Sequence, residues 1–233
     1  MKVYADPVRV AVASNFLATM KEIKTAYELQ YPHEKLVLIS GSTGKLYSQI
    51  LHKAPFDVFL SADQLHTNKL ETKGQVVKGS RFVYAQGQLV LWGRDFKKPI
   101  SLDSVPKLLE TRFSMANPRT APYGRAAKQV LQKVFDGLQQ PTNVVQGENI
   151  NQAFLFAATR NVTSGFVALS QILNPANPYN QTHYWYIPSN YYEPLKQEAA
   201  LLISGREKQS AKLFMQYLKG KNAETIMSRY GYL

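Results

Sequence analysis

Residues 36–51 read LVLISGSTGKLYSQIL and divide into three parts. The apolar run Leu36–Ile39 is typical of a buried strand, and the apolar residues of 46–51 recur at helical spacing. Between them, the small residues Ser40–Gly44 predict a tight turn that opens a helix. The first N–H groups of a helix have no partner inside it, and the helix dipole favours negative charge there. The stretch therefore predicts a strand, a turn that suits an anion, and a helix.

Three further turns of this kind follow predicted strands. They lie at Ser14-Asn15, at Ala121–Gly124 and at Glu148–Ile150. Tyr123 offers a phenolic donor, whereas Ile150 can offer only its backbone N–H. Ser14 and Asn15 also suit the N-cap of a helix, and capping is an alternative that does not exclude ligand contact. Four such helix starts in one chain predict a protein that binds a small oxyanion.

Strands and helices alternate along the chain, which predicts a largely parallel α/β architecture. Two apolar runs within Phe82–Trp92 flank a break at Gln86–Gln88, which predicts one long strand or two. Ser104 is a candidate N-cap of a short helix. Towards the end of the chain, Glu198–Ile203 predicts the last strand, and Ser204–Glu207 has the pattern of a capping box that opens the next helix.

Length and composition limit the function classes. The chain has 233 residues, of which 45% are hydrophobic, enough for one large domain or two small ones. The absence of cysteine excludes disulfides, zinc sites built on thiolates and cysteine nucleophiles. The formal net charge is +12, but Lys and Arg are scattered without a basic block. This favours general attraction of anions, or solubility, over specific binding of nucleic acid.

The first residues do not form an intact signal peptide, because no apolar core follows Met1-Lys2. Val3–Ala5, followed by Asp6, resembles the small-x-small end of a signal cleavage site. An ordinary polar N-terminus explains these residues equally well. The apolar runs of the chain are far shorter than the ~20 residues of a membrane span.

Several catalytic and metal sites are disfavoured by the sequence. The Walker pattern fails twice, because Ile39 replaces its first glycine and Leu46 its Ser/Thr. No G-x-S-x-G elbow is present. Asp57 and Asp63 could form a carboxylate pair, but Asp63 is better interpreted as a helix cap. The histidines have no metal-ligand spacing and are predicted at the surface: His33, His52, His66 and His183.

The same residues resemble the periplasmic molybdate-binding proteins, the solute receptors of molybdate ABC transporters. The resemblance runs from about Val8 to Tyr232, and its most specific marker is APFDVFLSAD at Ala54–Asp63. The Ser-Asn and Pro-Tyr-Gly variants are most similar to the Azotobacter-like subgroup. The other markers are Ala13–Phe16, Ser40–Gly44, Gly79–Phe82, Leu89–Trp92, Asn117-Pro118, Ala121–Gly124, Gly165–Leu169, Asn190–Pro194 and Tyr217–Gly220.

The resemblance implies an α/β fold of the type II periplasmic-binding-protein class, with two α/β lobes and a ligand cleft between them. Lobe 1 would comprise residues 7–84 and a return segment, 195–233, and lobe 2 residues 85–194. The implied function is high-affinity binding of molybdate, and of tungstate, in the periplasm and delivery to the membrane permease of an ABC transporter. It also implies a monomer with no catalytic residue, no cofactor and no nucleic-acid partner.

The resemblance implies a ligand set of Ser14, Asn15, Ser42, Thr43, Tyr123 and Ile150. Molybdate oxygens would contact Ser14, Thr43, Tyr123 and Ile150, without a direct bond from the protein to the metal. Many family members have a tyrosine where this chain has Ala168, and the Tyr123 hydroxyl would supply the missing contact. A site made only of donors prefers a fully deprotonated oxyanion, because a protonated one would need an acceptor.

Three other functions stay open. The first is a receptor for sulfate, phosphate or another small anion on the same fold. The second is a two-lobed α/β transferase, which would need a base and a nucleophile, whereas the turns offer only Glu148 as a titratable base. The third is the effector-binding half of a transcription regulator. It would need a DNA-binding domain, and none precedes Val8, although truncation of the sequence would hide one.

Overall fold

The computed structural model describes residues 6–179 and 181–233. The candidate cleavage sequence at residues 3–5 lies outside them. The chain forms two compact units. The first contains the residues up to Gln86 together with Lys196–Leu233, and the second contains Gly87–Leu195. The chain therefore passes from one unit to the other twice, after Gln86 and after Leu195.

The strands and helices alternate, as the sequence predicts. The strands are β1 (Val8–Ala13), β2 (Leu36–Gly41), β3 (Val58–Ser61), β4 (Phe82–Gly87), β5 (Leu89–Trp92), β6 (Phe113–Ala116), β7 (Val144–Gly147), β8 (Ser164–Ala168), β9 (Tyr184–Tyr186) and β10 (Leu195–Leu201). The helices are α1 (Leu17–Gln30), α2 (Thr43–Leu51), α3 (Gln64–Thr72), α4 (Val105–Leu109), α5 (Pro122–Val134), α6 (Ile150–Ala158), α7 (Leu169–Ile172), α8 (Gln209–Leu218) and α9 (Lys221–Arg229).

The first unit is built on a five-stranded sheet with the order β2-β1-β3-β10-β4. β1 pairs in parallel with β2 and β3, and β10 runs antiparallel to β3. All residues of β3, and all of β1 except Arg9, are buried, which explains why both strands are mostly apolar in the sequence. The sheet is mixed because its fourth strand comes from the return segment.

The second unit has a five-stranded sheet of the same kind, with the order β7-β6-β8-β5-β9. β6 pairs in parallel with β7 and β8, and β5 runs antiparallel to β8 and β9. The predicted break at Gln86–Gln88 is confirmed, because it separates β4 from β5. Trp92 of β5 is fully buried and stacks on Phe154 with 5.3 Å between ring centroids. The two α/β units confirm the predicted fold class.

The predicted capping box at Ser204–Glu207 is wrong. Ser204 lies in a 3₁₀ turn, and α8 begins only at Gln209. The Ser204 hydroxyl donates to the carbonyl oxygen of Phe56, and the N-cap position of α8 is occupied by Lys208. A contact far along the chain thus outweighs the local pattern.

Two other local predictions are corrected. Ser104 precedes α4, but its hydroxyl donates to the Ser101 carbonyl at 2.7 Å and does not cap the helix. His66 is buried rather than at the surface, and its Nδ1 lies 2.9 Å from the Asp63 carboxylate. The prediction that Asp63 caps a helix is confirmed, since its Oδ1 accepts from the His66 N–H at 3.0 Å.

Candidate functional site

Two of the predicted anion turns lie side by side in the first unit. β1 and β2 are parallel neighbours, and their last residues, Ala13 and Gly41, are paired. Ser14 and Ser42 are the next residues of the two segments, so both turns leave the same edge of the sheet. The carboxyl edge of a parallel sheet is where open α/β folds bind ligands.

The hydroxyl of Ser42 is buried and has no hydrogen-bond partner among the described residues. Ser42 is 3% exposed and occupies the N-cap position of α2 with an extended backbone. A serine at this position ordinarily accepts a bond from an N–H two or three residues further on, but Ser42 makes no such bond. A buried polar group without a partner costs about 1–3 kcal/mol. The Ser42 hydroxyl therefore marks a place where an external acceptor would fit.

Thr43, the first residue of α2, is held in one orientation by the loop after β3. Its Oγ1 accepts a hydrogen bond from the backbone N–H of Ala62 at 3.1 Å. This bond uses a lone pair of the oxygen and leaves the hydroxyl hydrogen to donate. The backbone N–H of Thr43 also lies in the first turn of the helix, where no carbonyl of the helix can reach it. Thr43 thus offers two donors.

Ser14 and Asn15 lie in a buried 3₁₀ turn, Ser14–Phe16, that connects β1 to α1. The capping alternative for them is wrong, because Ala13 and Phe16 occupy the N-cap positions. The side-chain amide of Asn15 donates to Gln197 Oε1 at 2.9 Å and to the Tyr232 hydroxyl at 3.2 Å. Since the amide has two hydrogens, both are used within the unit. A donor from Asn15 to a ligand would be its backbone N–H.

Three residues that surround Asn15 were missed by the sequence analysis. The Tyr84 hydroxyl donates to Gln197 Oε1 at 3.0 Å, and the Tyr232 hydroxyl donates to the Asn15 carbonyl at 3.0 Å. Burial raises the pKa of Tyr84 well above its ordinary value, and the neighbouring Tyr232 raises it further, so the Tyr84 hydroxyl stays protonated. Gln197 lies between the charged residues Lys196 and Glu198, so the sequence around it gave little indication of a buried network. It was overlooked because β10 begins at Leu195, three residues before the predicted strand.

The second unit repeats this arrangement of strands and turns. β6 and β7 are parallel neighbours, and their last residues, Ala116 and Gly147, are paired. Tyr123 is the second residue of α5, and both it and Ile150 are buried. Gly124 lets α5 start this close to β6, because a Cβ there would lie 2.4 Å from the Ala116 carbonyl oxygen.

Asn149 caps α6 and leaves one N–H outside the cap. Its Oδ1 accepts from the N–H groups of Asn151 at 3.0 Å and Gln152 at 3.2 Å. The N–H of Ile150, at the first helical position, is not taken by this cap and is beyond the reach of the helix carbonyls. The start of α6 therefore offers a backbone donor, as the sequence predicts for Ile150.

Gln171 fixes the start of α6 next to Ala168. Its Oε1 accepts from the Ala168 N–H at 3.0 Å, and its Nε2 donates to Asn151 Oδ1 at 2.7 Å and to the Ile150 carbonyl at 3.3 Å. Ala168 is completely buried. Sequence reasoning also missed Gln171, whose role depends on two elements that are distant in the chain.

The donor chemistry of both sets suits an anion. Ser14, Asn15, Ser42 and Thr43 lie in the first unit, and Tyr123 and Ile150 in the second. Within residues 6–179 and 181–233, no group of three or more His, Asp or Glu side chains could hold a metal ion. Hydroxyl and backbone N–H groups at helix starts instead bind oxyanions. None of the helices in this part of the chain is both long and apolar enough to cross a bilayer.

Comparisons with known proteins agree with this chemistry. Residues 8–233 match the model of the family described as bacterial extracellular solute-binding protein. The chain is 44% identical to the molybdate-binding protein ModA of Azotobacter vinelandii, over 98% of this chain and 90% of the relative. It is 39% identical to ModA of Rhodobacter capsulatus, over 98% of this chain and 89% of that relative. The solved periplasmic molybdate-binding protein of Azotobacter vinelandii superposes with a TM-score of 0.86 at 38% identity, covering 97% of this chain and 98% of that one.

Proposed function

Because the chain belongs to the bacterial extracellular solute-binding protein family, we propose that it binds molybdate for an ABC transporter. The observation that carries the proposal is the buried Ser42 hydroxyl without a partner, at the start of α2. The ModA relatives, up to 44% identical along nearly the whole chain, narrow the oxyanion to molybdate.

The proposed site consists of neutral donors. The hydroxyls of Ser14, Ser42 and Thr43 and the backbone N–H of Asn15 come from the first unit. Tyr123 and the Ile150 N–H come from the second. Hydrogen bonds to an ionised acceptor are about twice as strong as neutral ones. Because these bonds strengthen when the acceptor is ionised, the donor set favours the dianion over a protonated anion.

We place the protein in the periplasm, because the solved Azotobacter vinelandii relative is described as periplasmic. There it would act as a monomer, bind tungstate as well as molybdate, and deliver the anion to a membrane permease. The permease partner follows from the function of a substrate-binding protein.

Isothermal titration calorimetry with four anions tests the proposal. Molybdate and tungstate are expected to bind with micromolar or tighter affinity, and sulfate and phosphate to give no heat. The affinity for molybdate should fall as the pH is lowered and the anion becomes protonated. If sulfate binds as tightly as molybdate, the choice of ligand is wrong; if none of the four binds, the oxyanion proposal is wrong.

A further inference from the structure

The turn Ser14–Phe16 is held by the same two tyrosines at two successive residues. The Phe16 ring packs against both Tyr84 and Tyr232, whose ring centroids are 4.8 Å and 5.3 Å from its own. The hydroxyls of the same tyrosines enter the hydrogen-bond network of Asn15, Tyr232 directly and Tyr84 through Gln197. The two rings and the two hydroxyls therefore fix consecutive residues of the turn.

The hydrogen bonds of Asn15 with Tyr232 run in both directions. The Asn15 amide donates to the Tyr232 hydroxyl, which donates to the Asn15 backbone carbonyl at 3.0 Å. The second amide hydrogen goes to Gln197 Oε1, which also accepts from Tyr84. All four residues are buried. Such a network is stronger away from water, and each unmade bond within it is costly.

Tyr84 and Gln197 are on the strands through which the chain leaves and re-enters the first unit. Tyr84 lies on β4, which ends at Gly87, and Gln197 lies on β10, which begins at Leu195. Tyr232 is held beside β4 because Leu233 and Gln86 exchange two backbone hydrogen bonds, of 2.7 Å and 3.0 Å. Three distant parts of the chain thus meet at the Ser14–Phe16 turn.

We propose that Tyr84, Gln197 and Tyr232 are positioning residues, which hold the Ser14–Phe16 turn in the conformation that binds the oxyanion. The inference rests on the proposed function. None of the three needs to touch the anion. They fix the backbone from which the Ser14 hydroxyl and the Asn15 N–H project, and binding groups lose much of their effect when displaced by ~1 Å.

Tyr232→Phe tests the proposal, because it keeps the ring that packs on Phe16 and removes the hydroxyl that serves Asn15 twice. Tyr84→Phe removes the bond to Gln197 Oε1 and a longer one, 3.4 Å, to the Ser61 carbonyl. Tyr27→Phe is the matched control. Tyr27 belongs to the same hydrophobic core and is completely buried, but its hydroxyl has no partner among the described residues.

The readout is the dissociation constant for molybdate, measured by calorimetry on protein that urea unfolding shows to be folded. We expect the dissociation constant to rise roughly tenfold in Tyr232→Phe, which loses both hydrogen bonds of the hydroxyl to Asn15. The rise should be smaller in Tyr84→Phe, because the Tyr84 hydroxyl reaches Asn15 only through Gln197. Tyr27→Phe should stay within twofold of the wild type. A purely structural role would lower stability but leave the dissociation constant of the folded protein unchanged.

The outcomes separate the inference from the proposed function. If the wild type binds none of the anions, the proposed function fails and the inference falls with it. If the wild type binds molybdate and Tyr232→Phe binds within twofold of it, only the inference is overturned. Should Tyr232→Phe not fold, Tyr84→Phe decides: weaker binding by the folded variant supports positioning, and unchanged binding refutes it.

Discussion

Replacing Ser42 with alanine should have opposite effects on the free protein and on the complex. In the free protein the Ser42 hydroxyl is buried and makes no hydrogen bond within the described residues. In the proposed complex the same hydroxyl donates to a molybdate oxygen. The substitution therefore removes an unfavourable buried hydroxyl from the free protein and a hydrogen bond to molybdate from the complex.

Both effects can be estimated. A buried polar group without a partner costs about 1–3 kcal/mol, so Ser42→Ala should stabilise the free protein by up to about 1 kcal/mol after the small loss of packing. A hydrogen bond to a charged group contributes about 1.5–3 kcal/mol. At about 1.4 kcal/mol for each factor of ten, its loss should weaken molybdate binding roughly 10- to 150-fold.

Urea unfolding without ligand and calorimetry with molybdate measure the two quantities. Ser164→Ala is the matched control, because Ser164 also has a completely buried hydroxyl with no partner among the described residues. Ser164 pairs with Phe113 at the start of β6, whereas the loop that leads to Tyr123 leaves the other end of that strand. Ser164→Ala should therefore raise stability similarly and leave the affinity unchanged.

The reasoning is refuted if Ser42→Ala lowers the stability of the free protein and binds molybdate as tightly as the wild type. In that case the hydroxyl would have a structural partner and no ligand. A loss of affinity in Ser164→Ala as large as that in Ser42→Ala would also count against it, because binding would then respond to any buried hydroxyl.

Two further predictions concern stability. Burial alone would raise the pKa of Glu28, but the Leu36 N–H and Lys24 outweigh burial and lower it. The stabilising effect of the Glu28 carboxylate is therefore present above its unfolded pKa and is lost as the pH falls through its lowered folded pKa. Glu28→Gln should lower the unfolding free energy by about 0.5–1.5 kcal/mol at pH 7, and urea titrations should show this difference shrinking as the pH is lowered into the acid range. Gly124→Ala should destabilise by about 2 kcal/mol or more and weaken molybdate binding, because its Cβ would meet backbone at 2.4 Å. Gly41→Ala should change stability little, since its Cβ meets Leu46 at an ordinary 3.5 Å; equal losses in the two variants would contradict this.

The sequence was sufficient to predict features that depend on neighbouring residues. The strand–turn–helix order around Ser42 follows from an apolar run, small residues and helical spacing. Asp63 could be recognised as a cap because the N–H that it accepts from is three residues away. These predictions needed no knowledge of what packs against the segment.

Features that depend on distant residues were beyond the sequence. Asn15 is 182 positions from Gln197 and 217 from Tyr232, so no local pattern indicates that its amide is already used. Ser204 fits a capping box, but the Phe56 carbonyl, 148 positions away, takes its hydroxyl. A polar residue can be assigned to a ligand only once its partners within the protein are known.

The two units use the same strand arrangement but differ in the kind of hydrogen-bond donor that the helix start offers to a ligand. In each, paired last residues of two parallel strands lead into helices, Ala13 with Gly41 and Ala116 with Gly147. Asn149 caps α6 with its side chain, so what remains at that helix start is a backbone N–H, that of Ile150. Ser42 does not cap α2, so what remains is a side-chain hydroxyl. Substitution of side chains at the α2 start should therefore affect binding, whereas Ile150→Val should not, because its donor is the main chain.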